Sequence, residues 1–191
     1  MPNITLYPGA TVTSTGWSII GSLGTIHDSL AHNSGTTTGA ETGAINRYIE
    51  VKLDDLSIPT GATITSVQGI MEANCSDRSQ TAVLACDYRD DGGRVINSYT
   101  ENITVSTTGY NTAYVWTPRT TSDGSHEWSP TEINNMRLRF TLSTPPGAGT
   151  VQIYYLYLYV NYIPTYTSDD NSDIALKNGL MTLKNGITVI K

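Results

Sequence analysis

The sequence is short of charge. Only 15% of its 191 residues are charged, with 11 Lys and Arg against 17 Asp and Glu, a net charge of -6. A general nucleic-acid binder needs clustered cations to neutralise phosphates, and an anionic membrane surface asks for the same. The composition argues against both partners. Long apolar runs are missing too, and none approaches the roughly 20 residues of a spanning helix. Met1-Pro-Asn-Ile-Thr lacks the basic start and apolar stretch of a secretory leader. A soluble protein made in a cytoplasm is the expectation. Cysteine is scarce: Cys75 and Cys86 are the two present. With no neighbouring His ligands they make no zinc site, and a reduced, buried pair is expected in a reducing compartment. Phe occurs once, whereas Tyr occurs 12 times. Aromatic side chains that keep a polar tip suit partly wet sheet faces.

What the sequence has is strand pattern. Val151-Gln-Ile-Tyr-Tyr-Leu-Tyr-Leu-Tyr-Val-Asn-Tyr162 contains no Gly, Pro or charge. Side chains on a strand alternate faces. Tyr154, Leu156, Leu158 and Val160 therefore form a core row, and Tyr155, Tyr157 and Tyr159 an opposite row. Tyr48 to Leu53 alternates with Ile49, Val51 and Leu53 inward and Glu50 and Lys52 outward. Ile58-Pro-Thr-Gly61 is a turn leading into a strand from Ile64 to about Cys75. Thr81 to Arg89 places Ala82, Leu84, Cys86 and Tyr88 on one face. Asp90-Asp-Gly-Gly93 turns the chain into a short strand at Arg94 to Asn97. Asn102 to Thr108 and Ala113 to Thr117 are further short strands. Met136, Leu138, Phe140 and Leu142 face one way, and Arg137, Arg139 and Thr141 the other. Helical signal is confined to Ser129-Pro-Thr-Glu132, where Ser129 caps, Pro130 opens and Glu132 closes a capping box.

Residues 1–163 form the expected sandwich domain and 164–173 a polar, acidic linker. Residues 174–191 form a docking segment built on a seven-residue repeat, Leu176-Lys-Asn-Gly-Leu-Met-Thr182 and Leu183-Lys-Asn-Gly-Ile-Thr-Val189. Asn-Gly in each repeat opposes a helix and favours turns between very short strands. Leu176, Leu180, Leu183, Ile187 and Val189 need a surface to cover them, because two short repeats cannot bury their own apolar faces.

Residues 1–47 read as short strands in long loops, with Trp17 as a packing residue. His27, Asp28 and His32 lie close in sequence, but no third partner stands at a metal or acid–base spacing, so a solvated loop is the simpler account. Asp54-Asp55 and the Asp90 turn are possible calcium ligands, and strand-end solvation and turn chemistry already explain them. No nucleophile elbow, zinc motif or phosphate loop is present. No enzyme activity, cofactor or metal is expected.

Many short strands, many turns and almost no helix predict an all-β fold: a two-sheet β-sandwich, jelly-roll-like, with an extended C-terminal segment. Trp17, Tyr48-Ile-Glu-Val-Lys-Leu53 and Ile58-Pro-Thr-Gly-Ala-Thr-Ile-Thr-Ser-Val67 resemble β-sandwich structural proteins of tailed bacteriophages. Trp128-Ser-Pro-Thr-Glu-Ile-Asn-Asn-Met-Arg-Leu-Arg139 and the Tyr-rich strand share that resemblance. It covers roughly residues 10–162, and its motifs specify fold, not catalysis. It implies a virion protein that decorates a capsid or builds a tail or fibre, anchored by the C-terminal segment to other virion proteins. A homo-oligomer is implied, with a trimer favoured. The alternative is a carbohydrate- or receptor-binding module that takes a host surface glycan. Exposed aromatic candidates for it are the tyrosine row, Tyr110, Tyr114 and Trp116. One loop joins Met136–Leu142 to Val151–Tyr162, so the two are expected to pair as a hairpin. That pairing would bring Arg137 and Arg139 beside Tyr155, Tyr157 and Tyr159 as an interface or glycan face.

Overall fold

The structure, a computed structural model, describes residues 2–31, 37–54, 58–59, 61–77, 79–106, 112–122, 125–164, 174–177, 180–183 and 188–189. Two antiparallel sheets face each other across one core. The first joins β3 (Ser18–Ile20), β4 (Gly39–Thr42), β11 (Val151–Ile163), β6 (Thr63–Cys75) and β9 (Thr112–Val115) in that order, with β1 (Asn3–Leu6) also paired to β11. The second runs β2 (Pro8–Thr15), β5 (Tyr48–Leu53), β10 (Arg137–Thr144), β7 (Thr81–Arg89) and β8 (Val95–Ser106). The chain crosses repeatedly between the sheets, as a jelly roll does. The fold is the expected all-β sandwich.

Period-two patterning explains the core. Ile49, Val51, Leu84, Leu138, Phe140 and Leu142 line the inner face of the second sheet, all fully buried. Val67, Met71, Leu156, Leu158 and Val160 answer them from the first sheet. Aromatic rings close one end. Tyr88 lies 5.0 Å from Trp116, and Trp116 lies 5.5 Å from Phe140, both in tilted or edge-on geometry. Cys75 and Cys86 are free and buried, one on each sheet. Burial pushes the Cys86 thiol well above its usual range. The capping box forms as expected: the Glu132 N–H donates to Ser129 Oγ, the Ser129 N–H donates to Glu132 Oε2, and α2 spans Pro130–Asn134.

Several expectations are corrected. β10 and β11 do not form a hairpin. β10 pairs with β5 and β7, whereas β11 pairs with β1, β4 and β6. The Pro-rich loop between them carries the chain across the core, so the two apolar rows meet face to face and not side by side. Arg94 to Ser106 holds one long strand, β8, where two short ones were expected; Thr107 and Thr108 lie outside the described residues. His27 and Asp28 sit in a short helix, α1 (Ile26–Ala31), not a loop. Thr25 caps it, accepting from the Asp28 N–H and donating to the Asp28 carboxylate. Trp116 is buried, not exposed. His32, Asp55 and Tyr110 lie outside the described residues.

The C-terminal segment contains a three-stranded antiparallel sheet of β12 (Ile174–Lys177), β13 (Leu180–Leu183) and β14 (Thr188–Val189). The strand expectation holds there. The turn positions Asn178-Gly179 and Asn185-Gly186 lie outside the described residues, as does Ile187.

Candidate functional site

The outer face of the first sheet carries the tyrosine row. Alternation along β11 buries Leu156, Leu158 and Val160 and leaves Tyr155, Tyr157 and Tyr159 half-buried on the other side. Register with β6 sets Tyr155 opposite Glu72, Tyr157 opposite Ile70 and Tyr159 opposite Gln68. On the other flank Thr5 of β1 pairs with Tyr159. Tyr7 follows β1 and packs its ring 5.9 Å from Tyr155 and 6.2 Å from Tyr157. Tyr155 and Tyr157 are 5.2 Å apart. Thr5, Tyr7, Gln68, Ile70, Glu72, Tyr155, Tyr157 and Tyr159 line an open groove of about 490 Å³.

The groove has distinct chemistry at each wall. Three neighbouring phenol rings, tilted 31° to 53° to one another, make an aromatic wall. Ile70 gives an apolar centre. Glu72 and Gln68 stand two residues either side of it, so a carboxylate and an amide bracket that centre. Gln68 donates from Nε2 to the Trp116 carbonyl at 2.9 Å, which fixes its side chain and leaves its amide oxygen uncommitted. Glu72 makes no hydrogen bond or ion pair with any described residue. Burial raises its pKa above the ordinary carboxylate value. Burial also raises Tyr155 and Tyr157, aided in Tyr155 by a hydrogen bond with Tyr7 and in both by the Glu72 charge. These phenols stay protonated donors at neutral pH.

The expected partners of the tyrosine row lie elsewhere. Arg137 and Arg139 occupy the outer face of the second sheet, where Glu50 is 2% exposed at the centre of an ionic cluster. Arg139 donates from Nε to Glu50 Oε2 at 2.7 Å, and Arg137 donates from Nη1 to Oε1 at 3.2 Å. Arg89 lies 3.9 Å from the same carboxylate and pairs with Asp87 at 3.0 Å. Arg137 also pairs with Asp91 at 3.0 Å. The arginine-over-tyrosine contact does exist, but with Tyr48, whose ring centre is 4.3 Å from the Arg139 guanidinium. Glu50 thus points outward as expected and is nevertheless buried, because arginine side chains roof it.

Other expected residues are committed to structure. The Tyr114 hydroxyl donates to the Ser106 carbonyl and accepts from the Ser106 N–H. The His27 Nδ1 accepts from the Thr11 N–H at 3.1 Å, and Thr11 Oγ1 accepts from the His27 N–H. The Asp90 carboxylate accepts from the Arg94 N–H, closing its turn. No group of three metal-ligating side chains occurs among the described residues. Sequence reasoning missed Thr5, Tyr7, Gln68, Ile70 and Glu72. The outward row of β6 was readable from its alternation with Val67 and Met71. Its pairing with β11, and that of β1, was not.

No family model and no curated protein matches the chain. Solved structures do show likenesses. The C-terminal CBM6 of LamC, a marine laminarinase from Zobellia galactanivorans, aligns with TM-score 0.42 and 8% identity over 84% of this chain and 99% of that one. The CBM32 of AlyQ in complex with 4,5-unsaturated mannuronic acid aligns with TM-score 0.42 and 14% identity over 78% and 97%. The carbohydrate-binding module CBM6cm-2 of Cellvibrio mixtus lichenase 5A, in complex with cellotriose, aligns with TM-score 0.38 and 13% identity over 85% and 98%. At such identities no groove residue carries over from these proteins.

Proposed function

We propose that this protein is a carbohydrate-binding module that holds a glycan in the tyrosine groove without cleaving it. The observation that carries the reading is the groove's combination of three neighbouring phenol rings with bracketing Glu72 and Gln68. Sugar rings present flat C–H faces that suit aromatic rings, and a belt of hydroxyls that suits fixed carboxylate and amide groups. Glycoside hydrolysis takes two carboxyl groups about 5 to 10 Å apart. The groove lining contains one, Glu72. Tyr157, between its two ring neighbours, is the residue to test. In glycan-array binding followed by calorimetry, Tyr157→Ala is expected to weaken the best ligand by about tenfold or more. An unchanged affinity, with the fold intact by circular dichroism, would remove the groove from the binding site.

A second reading concerns assembly, and the C-terminal sheet favours it. Directly paired residues of antiparallel strands share a face. The register Ile174↔Leu183, Leu176↔Met181 and Met181↔Val189 puts positions 174, 176, 181, 183 and 189 on one face, all apolar. Leu180 pairs with Lys177 on the other face. Three strands of four residues or fewer are marginal alone. Covering that face with further copies of the chain, a trimer by preference, would anchor the module in a larger particle such as a virion. Light scattering of the full chain and of one ending at Asp173 tests this. An oligomer that becomes monomeric on truncation is expected; equal masses would sink the assembly role.

A further inference from the structure

We propose that Glu72 makes the groove charge-selective: it accepts sugar chains that are uncharged or carry amines, and rejects chains bearing carboxylates or sulfates. This rests on the glycan reading of the same groove. Two glutamates on opposite faces of the sandwich stand in contrasting surroundings. Glu50 is surrounded by Arg89, Arg137 and Arg139. Glu72 faces Tyr155, Tyr157 and Tyr7 from the neighbouring elements, and no Lys or Arg lines its groove. An ionised carboxylate only accepts hydrogen bonds. Sugar hydroxyls and ammonium groups can donate to it. A uronate or sulfate cannot, and it needs cationic partners of its own.

Arg89, Arg137 and Arg139 are engaged with carboxylates on the other sheet. Stacked sheets lie about 10 Å apart. On that far face the arginine charge is offset by Glu50, Asp87 and Asp91. The net charge of -6 adds a long-range bias against polyanions. The phenols contribute no charge, since burial holds Tyr155 and Tyr157 protonated. Among the described groove residues, the local field is therefore set by the Glu72 carboxylate.

Three hexamers with one β-1,4 glucose-type backbone and different charge make the test: cellohexaose, its C6-oxidised glucuronate form and the glucosamine hexamer. Each is titrated calorimetrically into the full chain at low salt and near-neutral pH. The glucosamine chain is expected to bind at least as well as cellohexaose, and the glucuronate chain about tenfold or more weaker. Glu72→Gln should compress this order, while Tyr157→Ala weakens whatever binds. Glucuronate binding that matches cellohexaose and depends on Tyr157 would overturn charge selection and leave the glycan reading standing. An order that persists unchanged in Glu72→Gln would also overturn it, by removing Glu72 as the cause. No binding to any of the three and none on an array of neutral glycans would overturn the glycan reading and this inference together.

Discussion

At the scale of single residues, Glu72 is the side chain in the groove that stability alone would not choose. It is partly desolvated without a cation, and its pKa is raised. A carboxyl group with a raised folded pKa binds its proton more tightly when folded. Its favourable contribution is then present in full below the unfolded pKa and lost as pH rises through the folded pKa. At neutral pH the ionised Glu72 is a liability. Glu72→Gln removes the charge and keeps the shape, so the variant should melt higher than the parent at about pH 7. The difference should shrink towards zero by about pH 4, where the parent's carboxyl takes up its proton as well. Taking the difference cancels the acid sensitivity common to both chains. A lower melting temperature for the variant at neutral pH would mean that Glu72 is partnered in solution. Functional sites often retain groups that burial disfavours.

At the scale of elements, β6 joins the core to the groove through alternate residues. Gly69 lies between Gln68 and Ile70 but faces inward. A Cβ built there would come within 2.5 Å of the Trp116 ring. The Gly69 N–H donates to the Tyr88 hydroxyl at 3.0 Å, and the Trp116 N–H donates to the Gly69 carbonyl at 2.9 Å. Trp116 turns into the core just past the end of β9, and its carbonyl receives the Gln68 amide. Gly69→Ala should therefore displace Trp116, at a cost of about 2 kcal/mol in urea unfolding. It should also loosen Gln68 and weaken glycan binding. Full stability in the variant would show that the indole has room to move. The legible part of the sequence was of this local kind. Alternation revealed the core rows of β7, β10 and β11, and the Ser129 box revealed α2. The partners of each strand were not legible. Pairing of β6 with β11 joins residues from Cys75 and Val151 to Thr63 and Ile163, 76 to 100 positions apart, and a loop between consecutive strands fits a crossover as well as a hairpin. For that reason the tyrosine row was visible in the sequence while Glu72 and Tyr7 beside it were not, and the arginines were assigned to the wrong face.

At the scale of the whole molecule, the sandwich separates two kinds of surface. One outer face is an ionic lattice in which Arg89, Arg137 and Arg139 each have acidic partners. The other is a phenol-lined groove whose acid, Glu72, has no ion-pair partner among the described residues. The groove also draws on distant parts of the chain: β1 and Tyr7 near the start, β6 in the middle and β11 near the end of the sandwich. Asn3 pairs with Asn161 and Leu6 with Leu158. That pairing has a kinetic consequence. Joining such remote segments requires closing a loop as long as the domain itself, and folding slows as contacts become less local. During synthesis β6 waits for β11, and the Tyr7 wall cannot close until β11 has emerged. The groove is thus among the last parts of the protein to form, so a nascent or truncated chain lacking β11 has neither β1 docked nor a groove.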